Sequence, residues 1–283
     1  MRKTRSILMI VLASLMQALP LCAQKEVTDI KMISIGPNNI LDTYLSPEQY
    51  TGLELRFIDQ MESWKINPES LKDADYPCPS EAPRWTSLLT HQALLSYGKP
   101  RSEDASYIYG LYSFTYALQH HWHFYANRLE LRAGGQAEIG LGFLYNTRNG
   151  NNPAQARAYL NLAPSGSARY HFTIKRKPAA LQYELSVPLL GVLFSPNYGQ
   201  SYYELFSKGN YDHNIVVTTP VSAPTLRQML SFDFTIKNDM FRIGYLGDYE
   251  QAKVNNLKYH TYSHLFILGY VHRFQIFKLK NQK

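Results

Sequence analysis

Two segments contain the residue types that nucleophilic or metal chemistry requires, and the first lies near the C-terminus. His260 and Ser263 are a base and a nucleophile, the pair that a hydrolase acting on membrane lipids would need. In a strand, residues three apart point to opposite faces, so these two side chains can meet only across a bulge. We therefore assign no catalytic residue, and His260 and Ser263 remain the only candidates for a hydrolase.

The second segment has three histidines around a tryptophan, at His120, His121, Trp122 and His123. Histidines two apart share a strand face and could bind a metal ion, but closed sites use three or four ligands. We identify no acidic or Cys partner nearby in the sequence. A Gly-rich phosphate loop and a nucleophile elbow are also missing from the sequence. We therefore predict neither a metal site nor a cofactor.

The elements that would position these residues are strands, because apolar and polar residues alternate along most of the chain. From Leu129 to Tyr145 the odd positions are largely apolar and the even positions hold mostly charged, polar or glycine residues, and Ala156–Ile174 behaves similarly. Strands of soluble proteins average about five or six residues, whereas a strand that crosses a membrane needs about 9–11. Tyr and Phe lie near the ends of these long runs, where an interfacial aromatic girdle is expected. The pattern favours a membrane barrel over a soluble β-domain.

The strand count predicts an all-β fold, a transmembrane antiparallel up-and-down β-barrel of ten strands. Nine strands are clear in the sequence, and we place a tenth within Val27–Tyr44 because bacterial barrels usually have an even number. Eight strands with an N-terminal appendage are the alternative. Longer and shorter connections alternate, with Ser195–Ala223 and Glu250–Leu257 among the longer ones and Glu62–Pro83 an unusually long periplasmic one. Pro164 predicts a bulge or bend within its strand.

The inward positions of these strands hold acids and arginines in equal number, which predicts a lumen closed by ion pairs. Arg pairs with carboxylates in a forked geometry, and a barrel of about eight strands is narrow enough for side chains to fill. Charges buried in such a lumen are tolerated only when they are paired. The predicted network contains Glu54, Arg56, Glu130, Arg132, Glu138, Arg157, Arg169, Glu184, Asp233, Arg242, Asp248 and Arg273.

We predict that residues 1–23 form a cleavable export signal and that residues 24–283 form a single barrel domain. Arg2, Lys3 and Arg5 precede a short apolar stretch, and Ala23 is a small residue at the cleavage position, as in secretory signals. The formal net charge is +7 without a run of five like charges, which argues against a nucleic-acid partner. After cleavage Cys78 is the only cysteine, so no intrachain disulfide can form. We expect a monomer in the outer membrane.

Four segments have distinctive sequences. They are Leu41–Gly52 (LDTYLSPEQYTG), Tyr145–Ala154 (YNTRNGNNPA), Ser195–Phe206 (SPNYGQSYYELF) and Tyr259–Phe274 (YHTYSHLFILGYVHRF). As a set they resemble a domain-of-unknown-function family of outer-membrane β-barrel proteins from Bacteroides-like Gram-negative bacteria. The resemblance implies an outer-membrane barrel and no established activity.

The third of these segments places four aromatic residues on a predicted outer loop, namely Tyr198, Tyr202, Tyr203 and Phe206. They could cap the mouth of the barrel or form a recognition surface. We therefore predict a structural or recognition role, with outer-membrane lipid and lipopolysaccharide, a partner barrel or a surface ligand as partners. The alternatives are a lipid hydrolase, similar to lipid A deacylases or phospholipases, and a narrow transporter of small amphiphiles.

Overall fold

The computed structural model describes residues 25–65, 84–148 and 153–276, and most of them lie in antiparallel strands. The predicted signal peptide lies outside the described residues, as do Cys78 and residues 66–83 of the long connection. The elements are β1 (Lys25–Asp42), β2 (Ser46–Lys65), β3 (Trp85–Pro100), β4 (Tyr107–Phe124), β5 (Leu129–Asn146), β6 (Ala154–Ile174), β7 (Lys177–Ser186), β8 (Leu190–Phe194), α1 (Tyr202–Phe206), β9 (Ile215–Thr218), β10 (Leu226–Ile236), β11 (Asp239–Val254) and β12 (Leu257–Ile276). None of the described helices is long and apolar enough to cross a membrane.

Ten of the strands close into a barrel. Strands β1 to β7 follow one another around the wall, β7 pairs with β10, and β12 pairs with β1 to close the ring. The closing ladder runs from Lys25 opposite Ile276, at what we call the lower end, to Asp42 opposite Tyr259 at the upper end. The prediction of ten strands is confirmed, with β1 as the tenth strand, and the alternative of eight strands is wrong.

Alternation sorts the side chains of each strand between the lumen and the outside. On β5, Glu130 and Glu138 are buried in the lumen, whereas Ile139 and Leu141 are 45% and 57% exposed on the outside. Further apolar side chains exposed on the outer wall are Ile33, Ile35, Leu53, Leu55, Leu95, Phe143, Leu160, Leu162, Leu181, Leu230, Phe266 and Leu268. The barrel is therefore apolar outside, whereas its lumen holds most of the buried charged and polar side chains. Two clusters of buried apolar residues also lie in the lumen, one around Met32 and Ile267 and the other around Tyr107 and Tyr109.

The expected bulge at Pro164 is absent, because β6 keeps an unbroken register with β5 through the pair Gly135 and Pro164. The proline instead marks a change of partner on the other edge of β6. Below it Ser165 pairs with Ser186 of β7, and above it Leu162 pairs with Leu190 of β8. Proline has no backbone N–H to donate, so a site between two ladders accommodates it.

The connections at the upper end do not all follow the predicted alternation of lengths. The predicted outer loop Glu250–Leu257 is wrong, because β11 continues to Val254 and a turn of two residues follows. Asn255 and Asn256 have φ angles of 50° and 60°, the left-handed backbone that asparagine tolerates and that tight hairpin turns require. The predicted loop Ser195–Ala223 contains α1 and β9, and β9 forms a hairpin with β8.

Candidate functional site

The lower half of the lumen is crossed by a layer of ion pairs around Asp233. One oxygen of this carboxylate accepts from Arg242 Nε at 2.6 Å, and the other accepts from Arg242 Nη2 at 2.9 Å and from Arg169 Nη2 at 2.6 Å. Arg132 extends the layer to Glu62, with 3.1 Å between Nη1 and Oε1. Because Asp233 and Arg242 are 1% and 0% exposed, each needs the other to remain charged inside the barrel.

A second layer crosses the upper half of the lumen around Arg56. This guanidinium contacts Glu54 at 2.7 Å and Asp248 at 2.6 Å. Arg227 continues the layer, with 3.0 Å to Asp248 and 3.1 Å to Glu138. The two layers bring together residues from several strands around the ring, so that charged side chains span the lumen at two heights.

A cavity of about 640 Å³, counted with the solvent space at its edge, lies between the two layers, and Glu184 and Arg227 are among the residues that line it. Glutamine and threonine side chains line much of it, among them Gln60, Gln92, Thr115 and Gln136. The lumen is thus closed by two charged layers. The chamber between them has a mixed lining, which also includes the apolar side chains of Met32, Ile58, Met229 and Leu246.

Three predicted members of the network stand apart from these layers. Glu184 accepts a hydrogen bond from Gln182 Nε2 at 2.7 Å, and the described residues offer it no ion pair. Arg273 is exposed at the lower end, without an ion pair to any described residue. Arg157 lies above the upper layer, where it pairs with Asp42.

Among the described residues, the sequence prediction omits four charged residues that form ion pairs in the lumen, namely Asp42, Glu62, Arg227 and Glu250. Three of them lie beyond the predicted ends of their strands, which the structure extends. Glu62 has the same parity along β2 as Glu54, and Glu250 the same parity along β11 as Asp248. That shared parity is the signal that could have placed them in the lumen.

The segment 195–214 folds across the upper mouth of the barrel, and we call it the cap. Tyr44 Oη, in the turn between β1 and β2, donates to a carbonyl of the cap at 2.9 Å. Tyr202 bonds to two groups of β6, at 2.7 and 2.9 Å, and Asn255 Nδ2 donates to a carbonyl of the cap at 3.0 Å. Burial raises the pKa of Tyr44 to about 12, so its hydroxyl stays a donor. Leu205 of the cap is itself fully buried. The cap is therefore attached on several sides of the mouth.

The helix α1 of the cap forms because its first turn is capped on both sides. Ser201 accepts from the backbone N–H of Glu204, and the Glu204 carboxylate accepts from the backbone N–H of Ser201 at 2.8 Å. This reciprocal arrangement satisfies N–H groups that a helix start leaves free. The same bond from Ser201 holds the pKa of Glu204 below its ordinary value.

The four aromatic residues predicted for the outer loop have two different placements. Tyr202 faces inward and anchors the cap, with its ring 5.9 Å from that of Tyr44. Tyr198, Tyr203 and Phe206 are 74%, 64% and 64% exposed on the outer surface. The cap thus has one aromatic anchor and an aromatic outer face.

A pocket of about 560 Å³, including its open mouth, leads sideways from the lumen through the wall beside β8 and β9. Its inner part is lined by Glu250, by Arg157 and by the phenols Tyr109, Tyr159 and Tyr259. Tyr259 Oη donates to Glu250 Oε2 at 3.0 Å. The pocket therefore joins a polar inner part to the apolar outer wall.

The histidine segment gains an acidic neighbour that we did not identify from the sequence. The turn between β4 and β5 brings Glu130 to His121, with 2.6 Å between Oε1 and Nδ1, and His123 Nε2 lies 3.8 Å from the same oxygen. These three side chains form a group that could hold a metal ion. However, Arg132 Nε contacts the same oxygen at 3.0 Å, so a cation already neutralises the carboxylate.

The two hydrolase candidates face opposite sides of β12. His260 is half-buried and its Nε2 lies 2.7 Å from Asn39 Oδ1. Ser263 is fully buried in the lumen and donates to Glu54 Oε2 at 2.7 Å. The structure therefore does not bring this pair together, and the serine belongs to the upper ion-pair layer.

A closed antiparallel barrel of ten strands with two additional strands, apolar outside and ion-paired inside, is a fold of the outer-membrane β-barrel type. The chain belongs to the family described as "Protein of unknown function (DUF3316)", whose model matches residues 6–281. No curated protein matches the sequence.

Solved barrels of low sequence identity resemble the structure. The translocator domain of the autotransporter NalP from Neisseria meningitidis is 8% identical, with 95% of each chain covered and a TM-score of 0.34. The transport unit of the autotransporter AIDA-I from Escherichia coli is 6% identical, with 93% of this chain and 92% of that chain covered and a TM-score of 0.43. Ail from Yersinia pestis, solved with a heparin analogue, is 10% identical, with 89% and 100% covered and a TM-score of 0.21.

Proposed function

We propose that this chain is a monomeric outer-membrane barrel that does not conduct and that recognises a ligand at its upper, outward-facing end. Insertion in a membrane is supported by the continuous apolar outer wall, because soluble monomers rarely expose so large an apolar surface. Trp85 and Trp122 are 53% and 45% exposed near the lower end, where a membrane interface favours aromatic residues. In cell fractionation the protein should sediment with the outer membrane and require detergent for extraction. Recovery as a freely soluble protein would overturn the proposal.

The proposal of a closed lumen is supported by the two layers of ion pairs that cross it. An ion that crossed the barrel would have to separate Arg242 from Asp233 and then Arg56 from Asp248, pairs that bury both partners. Separating a buried pair costs about 3–5 kcal/mol. In planar bilayers the wild type should show no steady conductance, with a porin in the same bilayer as the positive control. A steady channel of porin size would contradict the closed lumen.

The outer face of the cap supplies the surface for recognition, and lipopolysaccharide is the ligand that it fits. Tyr198, Tyr203 and Phe206 present exposed rings suited to stacking on sugars, and Lys208 Nζ lies 5.5 Å from the Tyr203 ring centroid, where it could contact phosphate. Replacing the three aromatic residues with Ala should abolish binding to immobilised lipopolysaccharide. The matched control is Trp85→Ala, an exposed aromatic residue at the opposite end, and equal binding by all variants would refute the role of the cap.

A further inference from the structure

The wall of the barrel has one break within the described residues, on its upper half, which we call the seam. Above Leu226 no strand of the described chain pairs with the free edge of β11, and β9 pairs only with β8. A backbone hydrogen bond of 2.8 Å from Lys253 N to Ser222 O joins the two sides. The seam is therefore closed by much less than the continuous ladders that join the other strands.

The lower edge of the seam lies at the height of the apolar outer wall. Leu190 of β8 pairs with Leu162 of β6, and both side chains are about half exposed on the outside. On β9, Ile215 and Val217 are 74% and 63% exposed. An apolar chain in the surrounding membrane would therefore meet apolar side chains on this side of the opening.

The inner part of the seam pocket is lined by one acid, Glu250, and one base, Arg157, and the nearest cation to Glu250 is shared with two other acids. Arg227 forms ion pairs with three carboxylates, and its guanidinium lies 3.0 Å from Asp248, 3.1 Å from Glu138 and 3.9 Å from Glu250. Asp248 also has Arg56 as a partner, whereas Glu250 has no cation of its own among the described residues. Its side chain is 17% exposed, because it faces the pocket.

The phenols around Glu250 complete a setting that suits a positive charge. Arg157 lies 3.5 Å from the centroid of the Tyr259 ring, so an aromatic face in the pocket already accepts a cation, and Asp42 neutralises that arginine. Tyr109 makes no hydrogen bond to any residue that the structure describes, and it lines the same space. Carboxylates combined with aromatic faces are the chemistry that binds ammonium groups.

We propose that the seam admits an amphiphile with one apolar chain and a cationic amine head, and that Glu250 binds the head. The cap covers the upper mouth of the lumen, and the ion-pair layers close the lumen below it. The direct way into the pocket is therefore sideways from the membrane. The apolar chain then stays against the outer wall at Leu190 and Pro188, which line the outer part of the pocket. This inference rests on the proposed function in one respect, namely that the barrel lies in a membrane.

Binding of dodecyltrimethylammonium to the full chain in lipid nanodiscs tests the proposal, measured at submicellar concentration against empty nanodiscs. Dodecyl sulfate and dodecyl maltoside are probes with the same chain and an anionic or a neutral head. We expect one saturable site for the cationic probe. Glu250→Gln should weaken its binding about thirtyfold, the factor that roughly 2 kcal/mol corresponds to for a lost buried charge partner. The matched control Glu103→Gln, an exposed acid outside the pocket, should leave the affinity unchanged.

The route is tested by locking the seam. Ser222→Cys and Lys253→Cys, in a Cys78→Ser background, place two thiols across the seam where the backbone bond of 2.8 Å joins its sides. Oxidation should abolish binding of the cationic probe and reduction should restore it. Binding that survives oxidation overturns the lateral route, and a preference for the maltoside or sulfate head overturns the amine assignment.

A heat-modifiability gel shift shows that each variant remains a folded barrel. Equal binding of the cationic probe by the wild type and by folded Glu250→Gln would overturn the site while leaving the closed lumen intact. Conversely, a conducting wild type would refute the closed lumen while the binding measurement could still succeed. Failure to enter nanodiscs would refute the membrane location itself.

Discussion

Replacing Asp233 with Asn should destabilise the barrel far more than the same exchange on its outer wall. The carboxylate neutralises two buried guanidinium groups, those of Arg169 and Arg242, through three bonds of 2.6 to 2.9 Å. Removing one partner of a buried ion pair costs about 3–5 kcal/mol, because the remaining charge stays buried without compensation. Asn keeps one acceptor oxygen, and Glu62 remains 3.9 Å from Arg169, so we expect a loss within that range rather than a sum over all the bonds.

The matched control is Asp59→Asn. Asp59 lies 3.5 Å from Lys31 on the outer wall, where the lysine side chain is 54% exposed, and such exposed pairs contribute about 0–1 kcal/mol. Equilibrium unfolding by urea in lipid vesicles, monitored by tryptophan fluorescence and by gel mobility, measures both variants. A loss below about 1 kcal/mol for Asp233→Asn, equal to that of the control, would refute the view that the lower layer holds the lumen together.

Three further predictions concern the wall and the cap. Gly134→Ala should lower the free energy of unfolding by about 1–3 kcal/mol, because the Cβ of the new alanine would come 1.9 Å from a backbone oxygen of β4. The control is Gly135→Ala, where a Cβ meets no atom within 4 Å. Equal losses of unfolding free energy in the two variants would contradict the clash. Tyr202→Phe removes the two hydrogen bonds of the Tyr202 hydroxyl to β6. Proteolysis of the cap should become about tenfold faster, which corresponds to roughly 1.4 kcal/mol. The control Tyr203→Phe should leave the rate of proteolysis unchanged. Since the folded-state pKa of Glu204 is lowered, its contribution to the cap is complete above the ordinary glutamate pKa and is lost as the pH falls through the lowered value. The protection factor for hydrogen exchange in α1, which corrects for the pH dependence of intrinsic exchange, should therefore fall on acidification. An equal fall in a Glu204→Gln variant would refute this.

Much of the barrel follows from alternation, which physical chemistry makes strict in a membrane wall. On β5 and β6 every outward residue meets one environment and every inward residue another, so parity alone places Glu130 and Arg169 in the lumen. Parity does not say where a strand ends. Glu62, Arg227 and Glu250 therefore escaped prediction, although each continues the pattern of its strand.

Pairings across the lumen could not be predicted, because they join residues that the sequence does not relate. Arg56 contacts Asp248 because the closure of the barrel leaves only β1 and β12 between β2 and β11, and the same closure brings Ser263 of β12 to Glu54. The contact between the histidine segment and Glu130 could not be predicted either, although these residues are close in the sequence. Glu130 reaches His121 because the register of β4 and β5 sets them next to each other, and a register is a property of paired strands.

The amino-acid sequence by itself determined the strand period and the charge of the inner face, because both are local consequences of alternating side chains. Alternation alone identified nine of the ten barrel strands, and the tenth followed from the even number that bacterial barrels usually have. Only the tertiary structure decided which charges pair, that the cap is attached across the mouth, and that the wall opens between β9 and β11. These features depend on which strands become neighbours when the sheet closes. The partner of β6 changes from β7 to β8 at Pro164, and the sequence shows that proline without showing which strand edge is left unpaired above it.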